Sequence, residues 1–81
     1  MNILQGSVVK SLAGHDRNSY FVAVGIEERY AYIADGRERK LESPKKKNIK
    51  HLSVTAKSID LQEITNNKLR KLLNELSRNG E

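Results

Sequence analysis

Eighty-one residues with a formal net charge of +5 make one small domain, whose core leaves no spare volume for a deep enclosed active site. The chain has no Cys, which excludes disulfides, thiolate catalysis and Cys-based zinc sites. Its apolar residues, 37% of the total, are gathered in patterned runs, which argues for folding rather than disorder.

The first six residues, Met1 to Gly6, have neither a basic stretch nor a long apolar one, so no secretory leader is expected there. No apolar run approaches bilayer length. Together with the lack of Cys, this predicts a cytoplasmic protein with no membrane partner. The first strand is expected at about Gly6–Ser11. A polar loop follows, with Gly14 near its start and Asn18 near its end. These residue types accept positive φ most easily, so the loop turns sharply and presents polar groups outward.

The second strand is expected at about Ser19–Ile26. Tyr20, Val22, Val24 and Ile26 share one face, and Phe21, Ala23 and Gly25 the other. Both faces are apolar, as in a sheet that closes on itself and is covered by another element. Glu27, Glu28 and Arg29 fit a hairpin connection to a third strand at about Tyr30–Asp35. Asp35 and Gly36 give a turn signal. A basic loop over residues 37–47 contains the only Pro, Pro44, and its charge predicts disorder before binding. A fourth strand is expected at about Asn48–Val54. Short strands with tight turns point to a small, strongly bent barrel.

The period then changes. Thr65 is a reasonable N-cap, and Leu69, Leu72, Leu73 and Leu76 follow the amphipathic helical template, with Gly80 beyond a natural stop. The stripe fits a helix packed on the barrel, with a partner-docking or self-association helix as the alternative. The expected organisation is a barrel over residues 1–58 and a helical extension over 59–81 packing on it, in a monomer.

The run from Leu4 to about Tyr30 resembles a KOW motif, roughly 27 residues of alternating polar and apolar character with a glycine near the eleventh position, here Gly14; Gly6-x-Val8, Ser19 and Val22-x-Val24 extend the resemblance beyond the motif. With the basic loop, Asn48-Ile49-x-His51-Leu52, Thr55 and Ile59-Asp60, residues 4–60 resemble the KOW-domain large-subunit ribosomal proteins of archaea and eukaryotes, of the fourteen-e type. They also resemble short bacterial KOW-domain RNA-binding proteins. The resemblance implies a mainly β fold, an SH3-like small barrel of four to five strands with a C-terminal amphipathic helix, and contact with rRNA. Asn18 stands where that family often has a second glycine.

Residues 37–50 hold seven basic side chains against two acidic ones, an excess equal to that of the whole chain. Such a loop can displace counterions from a phosphate backbone. The expected RNA-contacting residues are Lys10, His15, Arg17, Asn18, Arg37, Arg39, Lys40, Lys45, Lys46, Lys47 and Lys50, with Gly14 and Asn18 shaping the loop. Arginine adds bidentate phosphate geometry, which favours Arg37 and Arg39 for ordered contacts. Asp16 is expected to cap its loop rather than touch phosphate, and His51 to be a structural histidine in or near the core. Tyr30 and Tyr32 share a face and fit either base stacking or barrel packing.

The chain has no phosphate-binding Walker pattern and no nucleophile elbow, and its carboxylates are scattered among basic residues, so no enzyme, cofactor or metal is expected. The leading expectation is a non-catalytic binder of structured RNA, rRNA above all, with the ribosomal large subunit among the candidate partners. A protein-interaction module docking on the transcription or translation machinery is the alternative, and non-specific DNA binding by charge is a third.

Overall fold

The computed structural model describes residues 2–78. Runs rich in β-branched and aromatic residues form β1 (Ser7–Ser11), β2 (Tyr20–Glu27) and β3 (Tyr30–Ala34), and the chain adds β4 (Lys45–Asn48) and β5 (Leu52–Ser58). All neighbours are antiparallel, in the order β4-β3-β2-β1-β5. The molecule is therefore mainly β, one open five-stranded sheet with a C-terminal helix, α1 (Asn66–Arg78).

The sheet cannot be flat. Five strands at the usual spacing would set the edge strands about 19 Å apart. Only the three-residue 3-10 turn Ile49–His51 joins β4 to β5. At about 2 Å of rise per residue, that turn spans less than half the distance. The sheet must curl until its edges approach at this end.

Curling explains two apolar faces. Val8, Val22 and Ala34 pair across three strands and lie buried under Leu69 and Leu73 of α1. On the other face, Val9, Phe21, Ala31, Ile33 and Leu52 form a second buried cluster, with Ile3, Ile49 and Val54 packed against it.

The expected fourth strand over 48–54 is corrected. The Asn48 side chain accepts from the Lys50 N–H at 3.0 Å, which turns the chain into the 3-10 segment and divides two strands. His51 lies in that turn and is exposed, so it is not a core histidine. A bulge between Ala23 and Gly25 corrects a second reading. It moves Ile26 opposite Ala31, off the face of Val22, and leaves it 41% exposed.

In the basic loop, one side chain shapes the turn after β3. Asp35 Oδ1 accepts from the N–H groups of Arg37 (2.9 Å) and Arg39 (3.0 Å), closing a tight turn. Lys45 to Lys47, at the expected loop's end, belong to β4.

Helix α1 starts as expected: Thr65 Oγ1 accepts from the Lys68 N–H at 3.2 Å. Its buried stripe is narrower than the leucine pattern predicts, since Leu72 is 39% exposed. Gly80 lies outside the described residues. Among the described residues, no helix is long and apolar enough to cross a membrane.

Candidate nucleic-acid interface

The glycine loop between β1 and β2 is built as its residues predict. Gly14 and Asn18 have φ of 89° and 71°, in the left-handed region. The Asn18 N–H donates to Ser11 O at 2.8 Å and the Ser19 N–H to Asp16 O at 2.9 Å, which fold the loop back on itself. His15, Arg17 and Asn18 are exposed on it.

The pleat of β4 separates the three consecutive lysines. Lys45 pairs with Ile33 and Lys47 with Ala31, on the inner face, whereas Lys46 pairs with Tyr32 on the outer one. Lys47 reaches under the glycine loop. Its Nζ donates to Asp16 Oδ1 (2.8 Å), Ser11 Oγ (2.9 Å) and the Ala13 carbonyl (2.9 Å). Those three bonds engage all its ammonium protons, and the side chain is only 9% exposed. Lys47 is thus a structural lock, with no ammonium proton left for a ligand. Lys45 Nζ holds the other Asp16 oxygen, Oδ2, at 3.2 Å, yet its side chain keeps 32% exposure.

Asp16 consequently does more than cap its loop. Partial burial opposes its ionisation, but hydrogen bonds from Lys47, Ser11 and Lys45 and the charge of Lys47 outweigh that effect. Its carboxyl is held well below the usual carboxylate range.

Lys46 lies over the Tyr30 ring, 4.5 Å from its centroid, and Lys10 lies 5.7 Å from the Tyr20 ring centroid. Tyr30 and Tyr32 do share a face, both half-buried. The Tyr32 Oη–H donates to Glu27 Oε1 at 2.6 Å, and that bond raises the phenol pKa above its ordinary value.

The fold brings the two sequence-separated loops together. A cleft of about 400 Å³ is lined by His15, Asp16 and Ser19 from the glycine loop and by Asp35, Glu38 and Arg39 from the basic turn, with Lys45 between them. An adjoining cleft of about 200 Å³ shares Ser19 and Asp35 and runs on to Arg37 and helix α1. Arg17, Lys40 and Lys50 are exposed but line neither cleft. Lys50 sits on the 3-10 turn, which is tied to the loop's base by the Leu12 N–H donating to His51 O at 2.8 Å.

Of the three acidic residues in the first cleft, Asp16 faces two lysines and Asp35 accepts two backbone N–H groups, while Glu38 is exposed. Arg70 of α1 lines the second cleft, and its helical pattern gave no sign of it. Its neighbour Leu69 carries the visible signal, whereas Arg70 reaches the cleft only once α1 is docked. Among the described residues, no group of three His, Cys, Asp or Glu side chains is arranged to hold a metal ion.

No protein-family model matches the chain, and no curated protein matches it.

Proposed function

We propose that this chain is a non-catalytic RNA-binding module, an SH3-like barrel of the KOW type that contacts ribosomal or other structured RNA. The sheet order supports the barrel, because the edge strands are joined by a turn too short for a flat sheet. One observation carries the functional reading: the glycine loop and the basic turn meet at a single cleft with His15, Arg39 and Lys45 on its walls. Arg17, Arg37, Arg39, Lys40, Lys46 and Lys50 are exposed around these loops and strands, available to phosphate. Recognition rests on backbone shape and charge, with little direct reading of bases. The resemblance to ribosomal KOW proteins points to rRNA and the large subunit as partner, in the cytoplasm.

Leu69 and Leu73 are buried against the sheet, which leaves the exposed positions of α1, Leu72 among them, to the docking-helix reading. The test compares the wild type with R39Q/K40Q/K46Q in binding to a synthetic RNA hairpin over a range of salt. Affinity should fall, and the salt slope should flatten by about one for each phosphate that the variant no longer neutralises. An unchanged slope would remove these residues from the interface. Competition by duplex DNA of equal length separates RNA recognition from charge alone, since only the latter predicts equal competition.

A further inference from the structure

The smaller cleft has a character of its own. Its walls are the basic turn after β3 and the flank of α1, and it carries two guanidinium groups, Arg37 and Arg70. Asn18, Ser19 and Ser77 add hydrogen-bonding groups around it. The acidic residue present, Asp35, already accepts from two backbone N–H groups. Among the described residues, neither arginine has a carboxylate within ion-pair distance.

Both arginines are positioned by the fold. Gly36 packs so tightly on the helix start that an added Cβ would lie 3.2 Å from the Arg70 backbone nitrogen. The residue after it, Arg37, is thereby carried to the helix flank. Arg70 Nη2 donates to Asn67 Oδ1 at 3.2 Å, which steadies the guanidinium and leaves its other donors available. Two planar donor forks beside serine hydroxyls suit a phosphate group better than any carboxamide or apolar ligand.

We infer that this cleft is a phosphate-binding notch, in which Arg37 and Arg70 together grip one backbone phosphate of bound RNA. The inference rests on the RNA-binding reading above for the source of the phosphate, but not for the notch itself. It makes α1 part of the interface, where the sequence pattern gave the helix only a packing or docking role.

The experiment measures hairpin-RNA affinity and salt slope for the full chain and for R37Q, R70Q, R70K and K68Q. Lys68 lies on the far side of α1 from Arg70 and loses the same charge. R37Q and R70Q should each weaken binding about tenfold, as for loss of a charge-assisted bond, and each should lower the slope by about one. R70K should keep the slope and still lose several-fold in affinity, because an ammonium cannot bind bidentately. K68Q should change affinity by less than about twofold. In parallel, inorganic phosphate is titrated into isotopically labelled wild type and R70Q. The Ser19 and Arg37 amides should shift in the wild type and stay still in R70Q. If R70Q matches K68Q with RNA, and phosphate leaves these amides unmoved, the notch is overturned while RNA binding elsewhere stands. If the wild type ignores RNA but phosphate moves those amides, the notch stands with another phosphate ligand and the RNA reading falls.

Discussion

Lys47 has three ammonium protons, and the fold gives each one an acceptor. Removing Asp16 would leave that nearly buried charge facing only a hydroxyl and a carbonyl. Asp16→Ala should therefore destabilise the domain by about 2–4 kcal/mol, read from urea unfolding at neutral pH. The pH dependence has a definite sign. Asp16 is held below its unfolded value, so its contribution is full above the unfolded carboxylate range and is lost as pH falls through the depressed folded value. Between about pH 5 and pH 2 the wild type should lose stability faster than Asp16→Asn, by up to one proton's worth of slope. Parallel curves would mean that Asp16 titrates normally. None of this was legible in the run Lys45-Lys46-Lys47, which reads as uniform charge until strand pleating assigns alternate members to opposite faces.

At the scale of elements, β1 to β3 and α1 were legible because their apolar periods are long enough to identify a strand or a helix. The departures came from single residues acting on the backbone. The Asn48 side chain put a 3-10 turn in the first half of the expected strand over 48–54, so that β4 ends at Asn48 and β5 starts only at Leu52. The bulge beside Gly25 reversed the facing of Ile26, which period-two reading could not foresee. Thr55, placed in the resemblance without a physical role, donates from its hydroxyl to Val8 O at 2.8 Å where the β1–β5 register shifts. Docking of α1 depends on a similar detail. Gly36 has φ of 78°, and a Cβ there would collide with the Asn66 carbonyl. The Asn66 side chain simultaneously accepts from the Leu41 N–H at 2.8 Å and donates to Glu42 at 3.0 Å, so the helix start is tied to the basic segment. Gly36→Ala should cost about 2–4 kcal/mol, combining left-handed strain with a backbone clash. Hydrogen exchange should accelerate more in α1 than in β2, because the helix lifts while the sheet remains paired. Equal acceleration in both would mean that sheet and helix unfold as one unit.

Across the whole molecule, the curled sheet makes two thin cores, one inside the curl and one beneath α1. The two clefts described above lie on the outside of these cores, between the loops that the strands hold. The charge excess lies in the segment that supplies one wall of those clefts. Ligand binding to such a surface must stabilise the fold by mass action, because an unfolded chain does not present the two loops together. At a free hairpin-RNA concentration one hundred times Kd, the gain is about 2.7 kcal/mol. For a domain of this size that corresponds to a rise in Tm of roughly 10–20 °C, measurable by thermal melting with and without the RNA. On the proposed reading, raising the salt several-fold at the same RNA concentration should remove most of the shift, since contacts to phosphate weaken together. Duplex DNA of equal length is the informative comparison. It carries the same kind of charge with a different groove and backbone geometry, so a surface that reads backbone shape should gain less from it than from A-form RNA. Equal shifts from the two would reduce the interface to charge alone, and the placement of the glycine loop beside the basic turn would then serve folding rather than recognition.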